Sequence, residues 1–94
     1  MSTEQIERTT LTIVNELGLH ARAAAAFVKI ANRYRADITV VKDGMQVNGK
    51  SIMGVLMLAA AKGTIIAVEA AGDDAGEALT ALTTLVAAKF GEEK

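Results

Sequence analysis

The sequence predicts an α+β fold in the order β-α-β-β-α-β-α, with one mostly antiparallel sheet whose inner face is covered by helices. Three observations lead there. Residues 7–14, "ERTTLTIV", alternate Thr10 and Thr12 against Leu11 and Ile13, the two-residue period of a half-buried strand. From Ala21 the period lengthens, with Ala24, Phe27, Val28 and Ala31 recurring at helical spacing. Asp43-Gly44 then separates two β-branched runs, a strong hairpin signal because both positions tolerate positive φ. Runs this short favour antiparallel pairing in two layers.

The remaining elements follow in order. Residues 15–19 turn the chain, with Gly18 as the flexible point. An amphipathic helix of about three to four turns starts at Ala21, and it leaves Lys29, Asn32, Arg33 and Arg35 off the buried stripe. Strands are expected at about residues 37–42 and 45–48. Ser51 is a natural N-cap for a short helix that ends at Lys62-Gly63, whose core side is assigned to Val55, Leu58 and Ala59. The fourth strand lies in "TIIAVEAAG", with Ile66, Val68 and Ala70 inward. Asp73 and Asp74 suit the N-terminus of a last helix running through Leu79, Leu82, Leu85, Val86 and Phe90 to Gly91. The outer sheet face should be wet and rich in threonine.

Composition narrows the function. The chain has 94 residues, room for one domain and one core. Of its 51% apolar residues, 18 are alanine, which leaves 30 larger side chains for the interior. It contains no cysteine, so disulfide scaffolds and thiolate metal sites are excluded, and no metal or cofactor is expected. The start "MSTEQIERTT" lacks the pattern of a signal peptide, and the apolar run "IMGVLMLAAA" is too short to span a bilayer. A cytoplasmic protein with no membrane insertion is the expectation. A formal charge of -1 gives no general attraction to nucleic acid, so anion binding must be local.

His20 is the only histidine, and it precedes Ala21 at the predicted helix start, with Arg22 next in the first turn. A helix N-terminus carries about half a positive charge, and a cation there forfeits roughly 0.3–1 kcal/mol. An anion between the free first-turn amides and the Arg22 fork would remove the conflict. Phosphate fits best. A neutral imidazole nitrogen can also attack a phosphoryl group, and the helix dipole favours the neutral ring. On spacing alone such a histidine is more often a solvated loop residue, and the arginine can simply extend into water.

The motif "GLHARAA" together with "NGKSIMGVLMLAAAKG" resembles the two signatures of the HPr family, the phosphocarriers of the bacterial sugar phosphotransferase system. The likeness runs from about residue 6 to residue 91 of a single domain spanning 1–94. It implies an open-faced β-sandwich, a four-stranded antiparallel sheet with three helices on one face. It further implies that His20 is phosphorylated on Nδ1 by phosphorylated enzyme I and passes the group to IIA domains of sugar permeases. Arg22 would clamp the phosphoryl oxygens alongside the Ala21 and Arg22 amides. The resemblance implies a carrier that is a covalent intermediate, not an enzyme in its own right. One departure stands out, since the family usually has proline where Ala23 stands, and alanine leaves the helix start slightly less rigid. The chain also begins a few residues earlier than is typical, an extension expected to be harmless.

Ser51 matches the serine that HPr kinase/phosphorylase modifies in many bacteria, although a serine N-cap needs no regulator to explain it. Lys29, Ile52, Met53 and Leu56 are the candidate partner-binding residues, the last three forming an apolar patch left outside by a helix that buries only one side. A phosphoserine beside them would repel an acidic partner surface with little refolding. A monomer is expected. Two other readings stay open within this framework: a nitrogen-branch regulatory carrier, and a non-catalytic module that senses an anionic ligand through His20 and Arg22. An RNA-binding domain fits least, because no aromatic falls on a strand.

Overall fold

Alternation along the strands creates a sheet with two unlike faces. The computed structural model describes residues 5–94. It contains β1 (Ile6–Thr12), α1 (Ala21–Ala31), β2 (Asp37–Lys42), β3 (Met45–Asn48), α2 (Ile52–Met57), β4 (Ile65–Ala71) and α3 (Ala75–Ala87), followed by a 3-10 turn over Lys89–Gly91. The strands form one antiparallel sheet in the order β1-β4-β2-β3, with three helices as the second layer. Asp43 and Gly44 both have positive φ and close the β2–β3 hairpin as expected. The expected N-terminal extension falls largely outside the described residues.

Leu11, Ile38, Val40, Ile66, Val68 and Ala70 point inward and meet Phe27 of α1, Val55 of α2, and Leu82 and Val86 of α3. Alanine lets α1 lie close, since Ala23, Ala24 and Ala31 are buried beside Phe27 and Val28. The outer face is more mixed than a threonine-rich surface. Thr10 and Thr12 lie on it, but their β4 partners are Ala67 and Ile65. Strand β4 runs through the middle of the sheet, where its outer-face Ala67 is buried while Ile65 at its start stays exposed.

Three element ends differ from expectation because carbonyls and side chains find partners elsewhere. Strand β1 stops at Thr12, yet Ile13 remains buried and exchanges backbone bonds with Thr64 (2.9 Å) and Gly63 (2.7 Å). Helix α2 stops at Met57, well before Lys62-Gly63. Ala59 takes a left-handed φ of 49° and is exposed, so Ala60 replaces it in the core. The carbonyl of Leu58 accepts from Lys42 Nζ (3.0 Å), and that of Ala60 accepts from the Leu19 amide (2.9 Å). Helix α3 stops at Ala87, and Phe90 turns back against the core with φ 57°. Asp74 stands at the N-cap of α3 without capping it. Its carboxylate accepts from the Arg35 (2.9 Å) and Ala36 (2.8 Å) amides instead, and the Arg35 bond leads in holding its pKa below the ordinary range.

The loop between β1 and α1 is fixed by a close backbone approach. Gly18 has φ 68°, and a Cβ there would lie 2.5 Å from the Ala60 carbonyl oxygen. Gly44 also has positive φ, but nothing lies within 4 Å of where its Cβ would be. Gly44→Ala should therefore cost about 1–2 kcal/mol, the left-handed penalty alone. Gly18→Ala should cost more, because relieving the clash moves the backbone beneath the start of α1. Urea denaturation of the two variants measures the difference.

Candidate functional site

Local backbone geometry makes His20 the cap of α1. Its φ of -74° and ψ of -179° are extended, while its carbonyl accepts the first helical bond from the Ala24 amide (2.8 Å). The amides of Ala21, Arg22 and Ala23 have no intrahelical acceptor. Ring atom Nδ1 accepts from the Arg22 amide at 3.3 Å, the role usually played by a serine or aspartate oxygen. The first turn contains no acidic residue.

The other ring nitrogen, Nε2, is bonded to a carboxylate oxygen of Glu92, 72 residues further along the chain. The second oxygen of Glu92 accepts from Asn15 Nδ2 at 2.9 Å. Asn15 is completely buried, and the same Nδ2 donates to the Gly18 carbonyl at 2.9 Å. Both partners can only accept, which fixes the orientation of the amide. Glu92 and the Arg22 amide together assign the ring of His20. A neutral imidazole with its proton on Nε2 donates to the carboxylate and keeps a lone pair on Nδ1 for the amide.

Glu16, Leu17, Ala21, Arg22, His20 and Glu92 line an open hollow of about 810 Å³. Arg22 is exposed and forms no ion pair among the described residues, so its guanidinium fork is available to an incoming anion. The imidazole, the first-turn amides and the Arg22 side chain share one helix end and line the same hollow. Among the described residues there is no cluster of three or more histidine or acidic side chains placed to hold a metal ion.

The other expected site residues lie at varying distances from this point. Lys29 is exposed in the last turn of α1, nine residues from His20 and hence about 13 Å along the axis. Ser51 caps α2, its Oγ accepting from the Gly54 amide at 3.1 Å. Ile52 and Met53 are exposed, the latter by 70%. Leu56 departs from the expected patch, because it is half-buried and packs on the core. Leu17 and Met57 supply exposed apolar surface that sequence reasoning did not assign. Asn15 and Glu92 were also missed. Their only local signals are a polar residue in a turn and a glutamate after a helix-stopping glycine, and neither points to the other.

Residues 7–88 match the family model described as "PTS HPr component phosphorylation site". The chain is 49% identical over 85 residues to the phosphocarrier protein HPr of Neisseria meningitidis serogroup A, covering 90% of this chain and 96% of that one. The structure of HPr-C-His from Thermoanaerobacter tengcongensis superposes with a TM-score of 0.90 at 45% identity, covering 94% of this chain and 99% of the other. A structure of an HPr dimer from the same organism gives 0.75 at 46% identity, covering 89% and 97%.

The bond from Asn15 leads the causes that lower the pKa of Glu92, followed by the bond to His20, against a desolvation effect that raises it. A carboxyl depressed in the folded state contributes stability above the ordinary carboxylate range and loses it as pH falls through its own lowered value. The Asn15 side-chain amide resonances should therefore stay constant through the range where an exposed glutamate titrates and move only at lower pH. In Glu92→Gln this acid transition should be missing from the NMR titration.

Proposed function

Because the chain belongs to the HPr family of phosphocarriers, which carry phosphoryl groups in the phosphotransferase system and are not themselves enzymes, we propose that His20 Nδ1 accepts a phosphoryl group from phosphorylated enzyme I and passes it to IIA domains of sugar permeases. The observation that carries this reading is that Nδ1 of His20, the first-turn amides of α1 and the Arg22 side chain share one open helix end. As Nδ1 bonds to phosphorus, the Arg22 amide is released from the ring and becomes free to donate to a phosphoryl oxygen. The helix dipole and the Ala21 amide favour the same dianion. Arg22 binds two of its oxygens with a planar fork.

Open exposure suits a carrier, since donor and acceptor must both reach the same nitrogen. Leu17, Ile52 and Met53 supply an adaptable apolar contact surface, and Lys29 adds a positive charge on α1. The reading includes a regulatory role for Ser51, phosphorylated by an ATP-dependent HPr kinase/phosphorylase. Its hydroxyl is partly exposed and already at the start of α2, so modification would add about two negative charges beside Ile52 and Met53 without refolding the helix. The whole chain acts as one cytoplasmic domain. Among the described residues no helix is long and apolar enough to cross a membrane.

Incubation with enzyme I and labelled phosphoenolpyruvate tests the reading. Acid-labile label should enter the wild-type protein and be absent from His20→Ala; label that persists in His20→Ala would sink the assignment. Arg22→Ala should slow transfer about tenfold to a hundredfold, the lower end of oxyanion-type contributions because the site is open to water. Arg22→Lys should fall between the two, keeping the charge without the fork. Ser51→Asp should raise the KM for enzyme I more than it lowers kcat, since it opposes docking and leaves the nucleophile in place.

A further inference from the structure

The chain after α3 takes an unusual path for so short a segment. Lys89 and Phe90 both have positive φ, at 59° and 57°, and Gly91 follows at 81°. Two consecutive left-handed residues with side chains are disfavoured, the more so where one is bulky. Phe90 offsets this by packing against the core. The result turns the chain back on itself, so that Glu92 meets Asn15 and His20 and the Lys94 carbonyl accepts from the Glu16 amide at 3.0 Å. Three separate bonds tie the tail to the loop that ends at His20.

We infer that this tail completes the phosphoryl-transfer site. Glu92, held by Asn15, is a positioning residue that keeps the His20 proton on Nε2, leaves Nδ1 as the nucleophile and opposes the positive charge the ring acquires during transfer. The inference rests on the phosphocarrier reading of His20. In the step itself the Nδ1 lone pair forms the N–P bond, and the bond from phosphorus to the phosphorylated donor breaks with its electron pair leaving on the donor. The ring keeps its Nε2 proton throughout and so gains positive charge. A carboxylate on Nε2 stabilises that change, as an acidic partner does for a histidine that becomes imidazolium.

The arrangement favours this role over that of a lid. Glu92 engages Nε2, on the opposite side of the ring from the nucleophilic nitrogen, while Nδ1 faces the amide of Arg22 at the mouth of α1. Asn15 is well suited to hold the carboxylate, because it is completely buried and its amide is fixed from the other side by the Gly18 carbonyl. Glu16, Glu93 and Lys94 line the same hollow, but none of them is bonded to the ring, and Arg22 reaches it only through its backbone amide on Nδ1.

The roles are separated by measuring the rate of label transfer from phosphorylated enzyme I to the full-length protein and to its Glu92→Gln and Glu92→Ala variants. Amide NMR spectra check that the variants are folded, and ring ¹⁵N shifts report the tautomer of His20. Glu92→Gln retains an acceptor but no charge, and should slow transfer about tenfold to a hundredfold, the loss seen when the carboxylate that orients a metal-bound histidine is removed. Glu92→Ala should be at least as slow, and its neutral ring should shift toward the tautomer mixture of a free imidazole. Wild-type rates in both variants would overturn the inference, as would faster transfer, which would make the tail a lid. If the wild-type protein takes no label at all, the phosphocarrier reading fails instead. The tautomer measurement needs no donor, so an unchanged ring in Glu92→Ala would overturn the role of the tail in either case.

Discussion

The site depends on one backbone anchorage, the docking of residues 13–19 against the loop that joins α2 to β4. Ile13 exchanges bonds with Gly63 and Thr64, Leu19 donates to Ala60, and Gly18 lies so close to the Ala60 carbonyl that no side chain fits between them. These contacts settle where the chain leaves the sheet and where α1 begins. His20 becomes a cap because Leu19 is held in the core and Ala21 is the first residue free to turn. The early end of α2 belongs to the same arrangement, since the carbonyls of Leu58 and Ala60 serve Lys42 and Leu19.

Electrostatics at the helix mouth then follow from what is missing and what is supplied from afar. No carboxylate of the first turn balances the amides of α1, and Arg22 adds positive charge where the dipole already provides some. An isolated helix of this sequence would carry a local conflict. The fold compensates in two ways, by letting Nδ1 of His20 accept from the Arg22 amide and by bringing Glu92 to the Nε2 side. A buried amide, Asn15, connects the second arrangement to the core.

The exposed apolar surface on α2 is built on the same economy of space. Alanines let α1 pack closely against α2 and α3, and the larger side chains of α2 are not all buried. Val55 and Leu58 fill the interior, Leu56 packs at its edge, and Ile52, Met53 and Met57 remain outside. An apolar surface of this kind can dock on more than one protein without changing the fold.

Periodicity along the sequence determined the order of elements, the antiparallel hairpin at Asp43-Gly44 and the inward residues of β1, α1 and β4, because each depends on neighbours within a few positions. The conflict of Arg22 with its helix end was legible for the same reason, and it identified His20 as the place to look. Tertiary structure alone decided the ends of α2 and α3, the placement of Leu56, and the task of Asp74, whose carboxylate serves the amides of Arg35 and Ala36 rather than its own helix. It also decided that a glutamate in a polar tail would hold the imidazole. That contact joins residues 72 positions apart, and it exists only because a packed phenylalanine and a buried asparagine bring them together, which no local pattern encodes.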